Sequence, residues 1–335
     1  EPLLAVLLVR DPGGLCPSHP AFGDGPRPPP GGAGPLADLP RYAFARRRYW
    51  LTPRAAVPDA SALGQSATGH PLLTAAVRPA GTGDLLLTGH LDTAAHPWLA
   101  DHVLDGRVIV PGTALLEMAR RAADETGATG IAELTLLSPL VVPPDTGVDV
   151  QVAVRGPEQR VEIHAGADGT WHPVAAGRLT GTDAEPFEDL RAWPPADATE
   201  LDLTGVYERL REVSYQYGPR LRNLRRVWRR GDDLYAEVSL TDAGDFALHP
   251  ALLDAALHPL LPGVAGDVPA RMPFSWAGVR FRSGTTTVAR VRLAPAGADT
   301  YALLVADGAG APLAAADAVA LRPLSISGAP APDAD

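Results

Sequence analysis

Two short helical stretches, each isolated among strand-like runs, constrain the fold of this chain more than any other feature. The first, residues 113–125, follows Pro111-Gly112 and has apolar residues along one helical face. The second, residues 250–257, is apolar on nearly every side and is closed by Pro259. Because a helix that is apolar all round is a buried helix, the chain is predicted to hold one central helix in each of two halves.

Short strand-like runs surround both helical stretches. Residues 148–154 alternate apolar and polar side chains at first, as expected of a strand with one buried face. Comparable runs are 85–88, 135–137 and 161–164 in the first half, and 227–228, 234–240, 279–281, 288–293 and 301–305 in the second. Strands segregated around lone helices predict an α+β fold whose architecture is duplicated without a short-period repeat of residues.

Composition and charge exclude several classes of protein. The 335 residues carry a formal net charge of −10, which argues against a nucleic-acid binder because phosphates require a basic face. Cys16 is the only cysteine, so neither a disulfide framework nor a Cys-rich zinc site can form, and a reducing cytoplasm is the simplest compartment. The scattered histidines favour no metal, and no glycine motif for a phosphate or dinucleotide cofactor is present. The apolar run at residues 3–9 is too short to span a membrane.

The N-terminal region is interpreted as an inter-domain linker of residues 1–68. Its Pro- and Gly-rich runs between residues 10 and 40 cannot sustain a helix or a central strand. Residues 39–51 combine aromatic and basic side chains, which predicts docking on a neighbouring domain; a nucleic-acid-binding patch is the alternative. The other predicted divisions are an N-terminal half at 69–183, a connection at 184–200, a C-terminal half at 201–325 and a tail at 326–335.

His102 is the candidate for acid–base chemistry in the first half. Gly106 follows it closely and permits a tight turn or a positive φ, and Pro111-Gly112 then begins the helix. This order brings His102 toward a helix N-terminus, where free backbone N–H groups can receive a developing oxyanion. A histidine in that position is suited to remove a proton next to a carbonyl group. The spacing alone is also compatible with a structural histidine, which is the interpretation given to His96.

Asp254 and His258 lie four residues apart on the second predicted helix and therefore share a face. A buried carboxylate is costly unless it is hydrogen-bonded, and burial makes its protonated form easier to populate. A protonated Asp254 suits a general acid that delivers a proton to a leaving hydroxyl. The alternative is that Asp254 and His258 only satisfy one another. Because the chain has no nucleophile turn of the Gly-x-Ser-x-Gly type, acid–base chemistry on a bound organic substrate is the favoured interpretation.

Four sequence blocks, in order along the chain, resemble those of the dehydratase domains of modular polyketide synthases. They are His96-Pro97-Trp98-Leu99-Ala100-Asp101-His102 with Gly106 and Pro111; Tyr217-Gly218-Pro219; His249-Pro250-Ala251-Leu252-Leu253-Asp254-Ala255-Ala256-Leu257-His258-Pro259; and Met272-Pro273-Phe274-Ser275-Trp276. The resemblance runs from residue 70 to about residue 324. Residues 39–51 also resemble the linker that follows an acyltransferase domain in these synthases. Each block alone is a weak signal, but four in the family's order are specific.

The resemblance implies a double hotdog fold, in which two antiparallel sheets each wrap around a central helix and pack side by side. The implied substrate is a 3-hydroxyacyl chain held as a thioester on the phosphopantetheine of an acyl carrier protein, and no further cofactor is implied. The implied reaction removes water to give an α,β-unsaturated, usually trans-2-enoyl, thioester during polyketide chain extension in antibiotic biosynthesis. A cytoplasmic homodimer in contact with adjacent synthase domains is the family expectation.

The resemblance also implies roles for individual residues. His102 removes the proton from C2, and Asp254 protonates the departing C3 hydroxyl. A backbone N–H at the helix start, that of Gly112, stabilises the thioester oxygen. His258 orients the Asp254 carboxyl or binds the hydroxyl. Tyr217 is expected in the wall of the substrate channel, with core packing as its alternative.

One block departs from the family's pattern. After Tyr-Gly-Pro the family continues with an aromatic residue, Gln and Gly, whereas this chain has Arg220-Leu221-Arg222-Asn223. The altered loop keeps double-bond migration and dehydration-coupled cyclisation open as alternatives. A hotdog thioesterase and an inactive structural domain are further alternatives that do not depend on this loop. The arginines at 225–226 and 229–230 are interpreted either as a docking patch for an acidic carrier protein or as a solvated strand face.

Overall fold

The structure of the chain is a computed structural model that describes residues 60–167, 169–181, 187–282 and 284–324. The described residues belong to one compact unit, Ala56–Asp335. The aromatic and basic block at 39–51, most of the predicted linker and the predicted tail at 326–335 lie outside the described residues. The predicted domain boundaries therefore stay predictions.

The elements follow one another as lone helices among many strands. In the first half they are β1 (Ser66–Ala67), β2 (Ala75–Val77), β3 (Leu85–Leu91), β4 (His102–Leu104), β5 (Arg107–Val108), α1 (Gly112–Thr126), β6 (Gly130–Leu136), β7 (Val148–Arg155), β8 (Arg160–Ala167) and β9 (Thr170–Thr180). In the second half they are β10 (Thr199–Glu200), α2 (Val206–Glu212), β11 (Tyr215–Tyr217), β12 (Leu224–Arg230), β13 (Asp233–Ser239), α3 (Pro250–Leu257), β14 (Arg271–Phe281), β15 (Val288–Gly297), β16 (Thr300–Asp307) and β17 (Pro312–Pro323).

Strands of both halves form one antiparallel sheet, in the order β1-β2-β3-β7-β8-β9-β6-β14-β17-β16-β15-β13-β12-β10. The halves join where β6 pairs with β14, with Leu134 opposite Trp276 and Ile131 opposite Val279. Helix α1 packs on β6 to β9, helix α3 packs on β13, and the two helices contact each other. The prediction of an α+β fold with one central helix in each half is confirmed.

Both central helices have boundaries that their sequences explain. Helix α3 is buried along its whole length; His249 caps it by accepting a hydrogen bond from the Ala251 N–H, and Pro250 occupies its first turn. Helix α1 ends at Thr126 and is capped by Gly127, whose φ of 73° is a conformation that glycine adopts without strain. Pro111 lies just before the first turn of α1, because its ψ of 142° is extended rather than helical. Within the described residues, no helix is both long enough and apolar enough to cross a bilayer.

A second, three-stranded sheet links the two halves. Strand β4 pairs with β5 on one edge and with β11 of the second half on the other, which places His102 opposite Tyr217. The turn between β4 and β5 contains Asp105 and Gly106, with φ of 50° and 75°. Two successive residues with positive φ are typical of a tight hairpin turn, so the predicted turn at Gly106 is confirmed.

The chain has more strands, and longer ones, than its sequence pattern predicts. Strands β9 and β17 were not predicted, and the predicted run at 279–281 is only the end of β14. Residues 314–316 of β17 are alanines of low strand propensity, which pair here because β14 and β16 flank them on both sides. Strand β14 tolerates Pro273 because the register of its pairing with β17 shifts between Pro273 and Ser275.

Candidate active site

His102 lies at the start of β4 and is 5% exposed. Its Nδ1 is 2.7 Å from the carbonyl oxygen of Ile109. Because a carbonyl oxygen can only accept, Nδ1 carries the proton and Nε2 keeps a free lone pair. Burial lowers the pKa of His102 below its ordinary value, against the opposing effects of the Asp254 charge and the Ile109 hydrogen bond. The neutral imidazole is therefore able to act as a base through Nε2.

Asp254 lies on α3 and is 9% exposed, with its Oδ2 3.0 Å from Nε2 of His258. Burial raises the pKa of the Asp254 carboxyl, but the hydrogen bond from His258 and the electrostatic effect of His102 and His258, which acts where they are protonated at low pH, together lower it by more. The net pKa lies below the ordinary value, so the carboxyl is ionised in the substrate-free site. Burial alone favours the protonated form, as expected from the sequence, but the hydrogen-bond donor His258 and the neighbouring histidines outweigh desolvation in this state.

Tyr207, on α2, sets the orientation of His258. The Tyr207 hydroxyl accepts a hydrogen bond from the Leu224 N–H and lies 3.1 Å from Nδ1 of His258. Burial raises the pKa of Tyr207 to about 12, so the hydroxyl keeps its proton and can donate it to Nδ1 of a neutral His258. His258 then carries its own proton on Nε2 and donates it to the Asp254 carboxylate. Sequence reasoning missed Tyr207, because only the tertiary packing of α2 brings its hydroxyl to His258.

One cavity brings residues of the two halves together. Five of the predicted site residues line it, namely His102, Gly112, Tyr217, Asp254 and His258. Its other walls are mainly apolar and include Leu115, Leu136 and Leu257. The remaining two predicted residues support the site from outside the cavity: Gly106 forms the β4–β5 turn, and Pro111 precedes α1.

Gly112 is the first residue of α1, where backbone N–H groups have no partner within the helix. A Cβ added there would lie 2.5 Å from Cδ1 of Leu136, so a larger residue would require the Leu136 side chain to move. The N-terminus of a helix carries a partial positive charge and its free N–H groups stabilise an oxyanion. The cavity therefore combines an anion-stabilising helix end with the free imidazole nitrogen of His102.

Tyr217 lies between the two histidines of the site. Its ring centroid is 5.7 Å from that of His102 and 4.4 Å from that of His258. Burial raises the pKa of Tyr217 well above its ordinary value, so its hydroxyl stays protonated. Tyr217 lines the cavity and is also part of the hydrophobic core. The two roles predicted as alternatives for this residue, channel wall and core packing, therefore both apply.

The loop that departs from the family's pattern is tied to the site by hydrogen bonds. The Arg220 N–H donates to Oδ2 of Asp101 at 2.7 Å. The Arg222 guanidinium donates through Nε to the carbonyl oxygen of Tyr217 at 2.8 Å. Asp101 directly precedes His102 in the sequence. The altered loop therefore contacts Tyr217 and the residue next to His102, and both His102 and Tyr217 line the cavity.

The arginines at 225–226 and 229–230 are exposed on β12, as expected of a solvated strand face. Arg226 forms an ion pair with Glu200 at 2.7 Å, so part of the charge of this cluster is balanced within the chain. The alternative role of the cluster, as a docking patch for an acidic carrier protein, stays a prediction.

The fold and the cavity together define a class of protein, in which two antiparallel halves with central helices share a site containing a histidine base and an aspartate. A family model described as the polyketide synthase dehydratase domain matches residues 70–166. A second, described as the polyketide synthase dehydratase N-terminal domain, matches residues 185–331. The chain belongs to the family of polyketide synthase dehydratase domains, whose general activity is that of a hydro-lyase.

Solved structures of this family resemble the chain over most of its length. The dehydratase domain from the terminal module of the rifamycin polyketide synthase is 41% identical with a TM-score of 0.74, over 79% of this chain and 100% of that one. The erythromycin dehydratase is 38% identical with a TM-score of 0.72, over 79% of this chain and 100% of that one. These similarities confirm the double hotdog fold.

A curated relative shows how small a part of a synthase the chain corresponds to. Polyketide synthase GfsE of Streptomyces halstedii is 44% identical over 318 residues, which are 89% of this chain and 8% of the relative. The chain therefore spans less than a tenth of the length of this relative.

Proposed function

We propose that the chain removes water from a 3-hydroxyacyl thioester carried on the phosphopantetheine of an acyl carrier protein, leaving an α,β-unsaturated, usually trans-2-enoyl, thioester. The observation that carries the proposal is the meeting of His102 and Asp254, one from each half, in a single cavity. Elimination of water requires a base for the C2 proton and an acid for the C3 hydroxyl. Family membership supports the same reaction, and the substrate class and its carrier are part of the proposal.

In the proposed reaction, Nε2 of His102 accepts the C2 proton, and the electron pair of that C–H bond forms the C2–C3 double bond. The Gly112 N–H stabilises the negative charge that develops on the thioester oxygen. The C3–O bond breaks, and Asp254 supplies the proton that turns the departing hydroxyl into water. His258, held by Tyr207, orients the Asp254 carboxyl.

The substrate-free site holds one proton fewer than this reaction needs, because His102 is neutral and Asp254 is ionised in that state. Substrate binding excludes water from the cavity, and desolvation raises the pKa of a carboxyl. The proposal is that Asp254 takes up a proton as substrate binds. Transfer of the proton from His102 back to Asp254, after water has left, restores the reactive state.

The proposal places the chain within a larger synthase. An acyl carrier protein, adjacent synthase domains and a second copy of the chain are the expected partners, and the cytoplasm is the expected compartment. The small share of its relative that the chain spans, 8%, supports a role as one domain among several.

The test offers the protein each C3 epimer of a 3-hydroxyacyl carrier protein and follows the intact mass of the carrier. We expect loss of one water from one epimer, and we expect His102→Ala and Asp254→Asn each to lower turnover by about 10²–10⁴-fold. Undiminished turnover by either variant would remove that residue from the proposed pair.

The other functions that the sequence leaves open give different products. Hydrolysis to the free carrier protein would identify a thioesterase, and an unchanged substrate with both epimers would identify an inactive domain. A chain with a migrated double bond and a chain cyclised after dehydration both have the mass of the 2-enoyl product, and chromatography against standards separates the three.

A further inference from the structure

We propose that Asp101 is a positioning residue, which fixes strand β4 against strand β11 by accepting the amide hydrogen of Arg220. The inference rests on the proposed function only in taking His102 as the base. Asp101 directly precedes His102, is 14% exposed at its side chain, and is not among the described residues that line the cavity. Its effect on the reaction therefore passes through the placement of its neighbours.

Two hydrogen bonds attach Asp101 to the loop after β11. The Asp101 carbonyl oxygen accepts a hydrogen bond from the Gly218 N–H at 2.7 Å. Its carboxylate Oδ2 accepts a second from the Arg220 N–H, also at 2.7 Å. A Cβ added at Gly218 would lie 2.3 Å from Oδ1 of Asp101, so this close approach of loop and side chain requires glycine. The main chain and the side chain of Asp101 thus bind the first and last residues of the turn from Gly218 to Arg220.

The attachment lies next to the pair of residues that form the cavity wall. In the register of β4 and β11, His102 is opposite Tyr217. His102 follows Asp101 in the sequence, and Tyr217 precedes Gly218. The ring of Tyr217 contacts His102 on one side and His258 on the other. A shift of β11 along β4 would therefore displace the base relative to the half of the site that contains His258.

The strands alone do not secure this register. Strands β4 and β11 each have three residues, so the ladder between them is short. Because a one-residue slip reverses the face to which every side chain of a strand points, a short ladder needs a further restraint to keep His102 in the cavity. The two hydrogen bonds of Asp101 supply this restraint at the end of the ladder where His102 and Tyr217 lie.

The contact acts through hydrogen-bond geometry rather than through charge. The groups whose charges shift the pKa of His102 are Asp254 and His258, and Asp101 is not one of them. The Arg220 guanidinium is 3.5 Å from the Asp101 carboxylate, but its side chain is 60% exposed, and exposed ion pairs contribute little. An uncharged acceptor of the same size should therefore replace the carboxylate.

Two substitutions separate geometry from charge. Asp101→Asn keeps an oxygen acceptor at the same distance from the backbone and removes the charge, whereas Asp101→Glu keeps the charge and moves it outward by one methylene. We expect kcat of the Asn variant to stay within about threefold of wild type. We expect kcat of the Glu variant to fall about tenfold or more, with a smaller change in KM, because misplacement of a reacting group costs up to about 10²-fold. Arg220→Ala, which keeps the backbone N–H, is the matched control and should stay within about twofold of wild type.

The order of the variants decides the proposal. A Glu variant as active as the Asn variant, or more active, would overturn it, because charge rather than geometry would then be what Asp101 supplies. If melting curves show that the Glu variant does not fold, Asp101→Ala takes its place, since it removes the acceptor without adding volume, and the same loss of kcat is expected.

A second readout is independent of turnover. In protein with labelled histidine and tyrosine, nuclear Overhauser contacts between the rings of His102 and Tyr217 report their separation, 5.7 Å between centroids. We expect these contacts in the wild type and the Asn variant, and their loss in the Glu variant. A wild-type protein that shows the contacts but eliminates no water would refute the proposed function alone. Unchanged contacts in the Glu variant would refute the positioning role alone.

Discussion

At the scale of single residues, burial acts on His102 and Asp254 in the same physical way, by disfavouring the charged form of each. At His102 this effect dominates and lowers the pKa. At Asp254 a fixed donor, the Nε2–H of His258 at 3.0 Å, contributes to a net lowering of the pKa despite burial. The pair therefore rests as a neutral imidazole and a carboxylate. Its geometry is ready for acid–base chemistry before the acid has acquired its proton.

This resting state predicts an unusual pH dependence of kcat/KM. Burial places the pKa of His102 below its ordinary value of 6.5, and above that pKa the free site is one proton short of its reactive form. The reactive population, and with it kcat/KM, should then fall by about tenfold for each further pH unit. Steady-state kinetics of the wild type with a soluble 3-hydroxyacyl thioester measure the profile. A plateau at high pH would instead show that His102 itself carries the C2 proton to the hydroxyl.

The hydroxyl of Tyr207 can be tested apart from its ring. Tyr207→Phe removes the donor to Nδ1 of His258 and leaves the Leu224 N–H without its acceptor. We expect His258 to lose its fixed tautomer, and kcat to fall by about tenfold, the equivalent of one hydrogen bond of about 1.4 kcal/mol. Nitrogen-15 shifts of His258 report the tautomer. Tyr235→Phe is the matched control, because the Tyr235 hydroxyl bonds to Arg230 at 2.7 Å and lies outside the cavity lining. An unchanged tautomer in the Tyr207 variant would contradict the relay.

At the scale of elements, the first turns of the two central helices are tied to each other. The Thr113 hydroxyl, on a residue that is 1% exposed, donates to the carbonyl oxygen of Pro250 at 3.0 Å. Pro250 lies about one helical turn before Asp254, and Thr113 follows Gly112. The bond therefore fixes the anion-stabilising end of α1 relative to the turn of α3 that carries the carboxyl.

Removing this tie should affect stability and turnover together. Thr113→Val keeps the shape of the side chain and removes the donor, which leaves a buried carbonyl oxygen with one partner fewer. We expect the free energy of unfolding to fall by about 1–2 kcal/mol and kcat to fall with it. Thr113→Ser keeps the hydroxyl and should recover kcat even where the lost methyl group lowers stability. Denaturant unfolding and steady-state kinetics measure both quantities, and a Val variant with wild-type kcat would show that the helices hold their relative position without this bond.

The elements also show which features a sequence can predict. Both ends of helix α3 were predictable to the residue, because Pro250 begins it and Pro259 follows it. Its burial was predictable because apolar residues occupy nearly every side of the helix. Strands β9 and β17 were not, because their alanine and glycine residues have little strand propensity and pair only with the help of neighbouring strands. His102 and Asp254 stand in recognisable motifs. Tyr207 and the ionised state of the carboxyl escaped prediction, because both depend on hydrogen bonds made in the folded chain.

At the scale of the whole molecule, the two halves share one continuous sheet through the pairing of β6 with β14. The cavity takes residues from both halves, so the site depends on this pairing, the seam of the sheet, as well as on the contacts of β4 with β11 and of α1 with α3. Gly130 lies at the seam, where an added Cβ would be 2.4 Å from the carbonyl oxygen of Val279. Because that atom belongs to the backbone of the other half, a larger residue cannot be accommodated by turning a side chain aside.

Gly130→Ala should therefore weaken both halves at once. We expect a loss of about 1–3 kcal/mol in the free energy of unfolding, typical of overpacking at a buried contact. Hydrogen exchange followed by mass spectrometry should show lower protection in β7 and β8 of the first half and in β15 and β16 of the second, although none of these strands contains the substitution. Gly266→Ala is the matched control, because a Cβ added there meets nothing within 4 Å. If protection fell in the first half only, the halves would be separate folding units, and the shared sheet would join two domains that are each stable without the other.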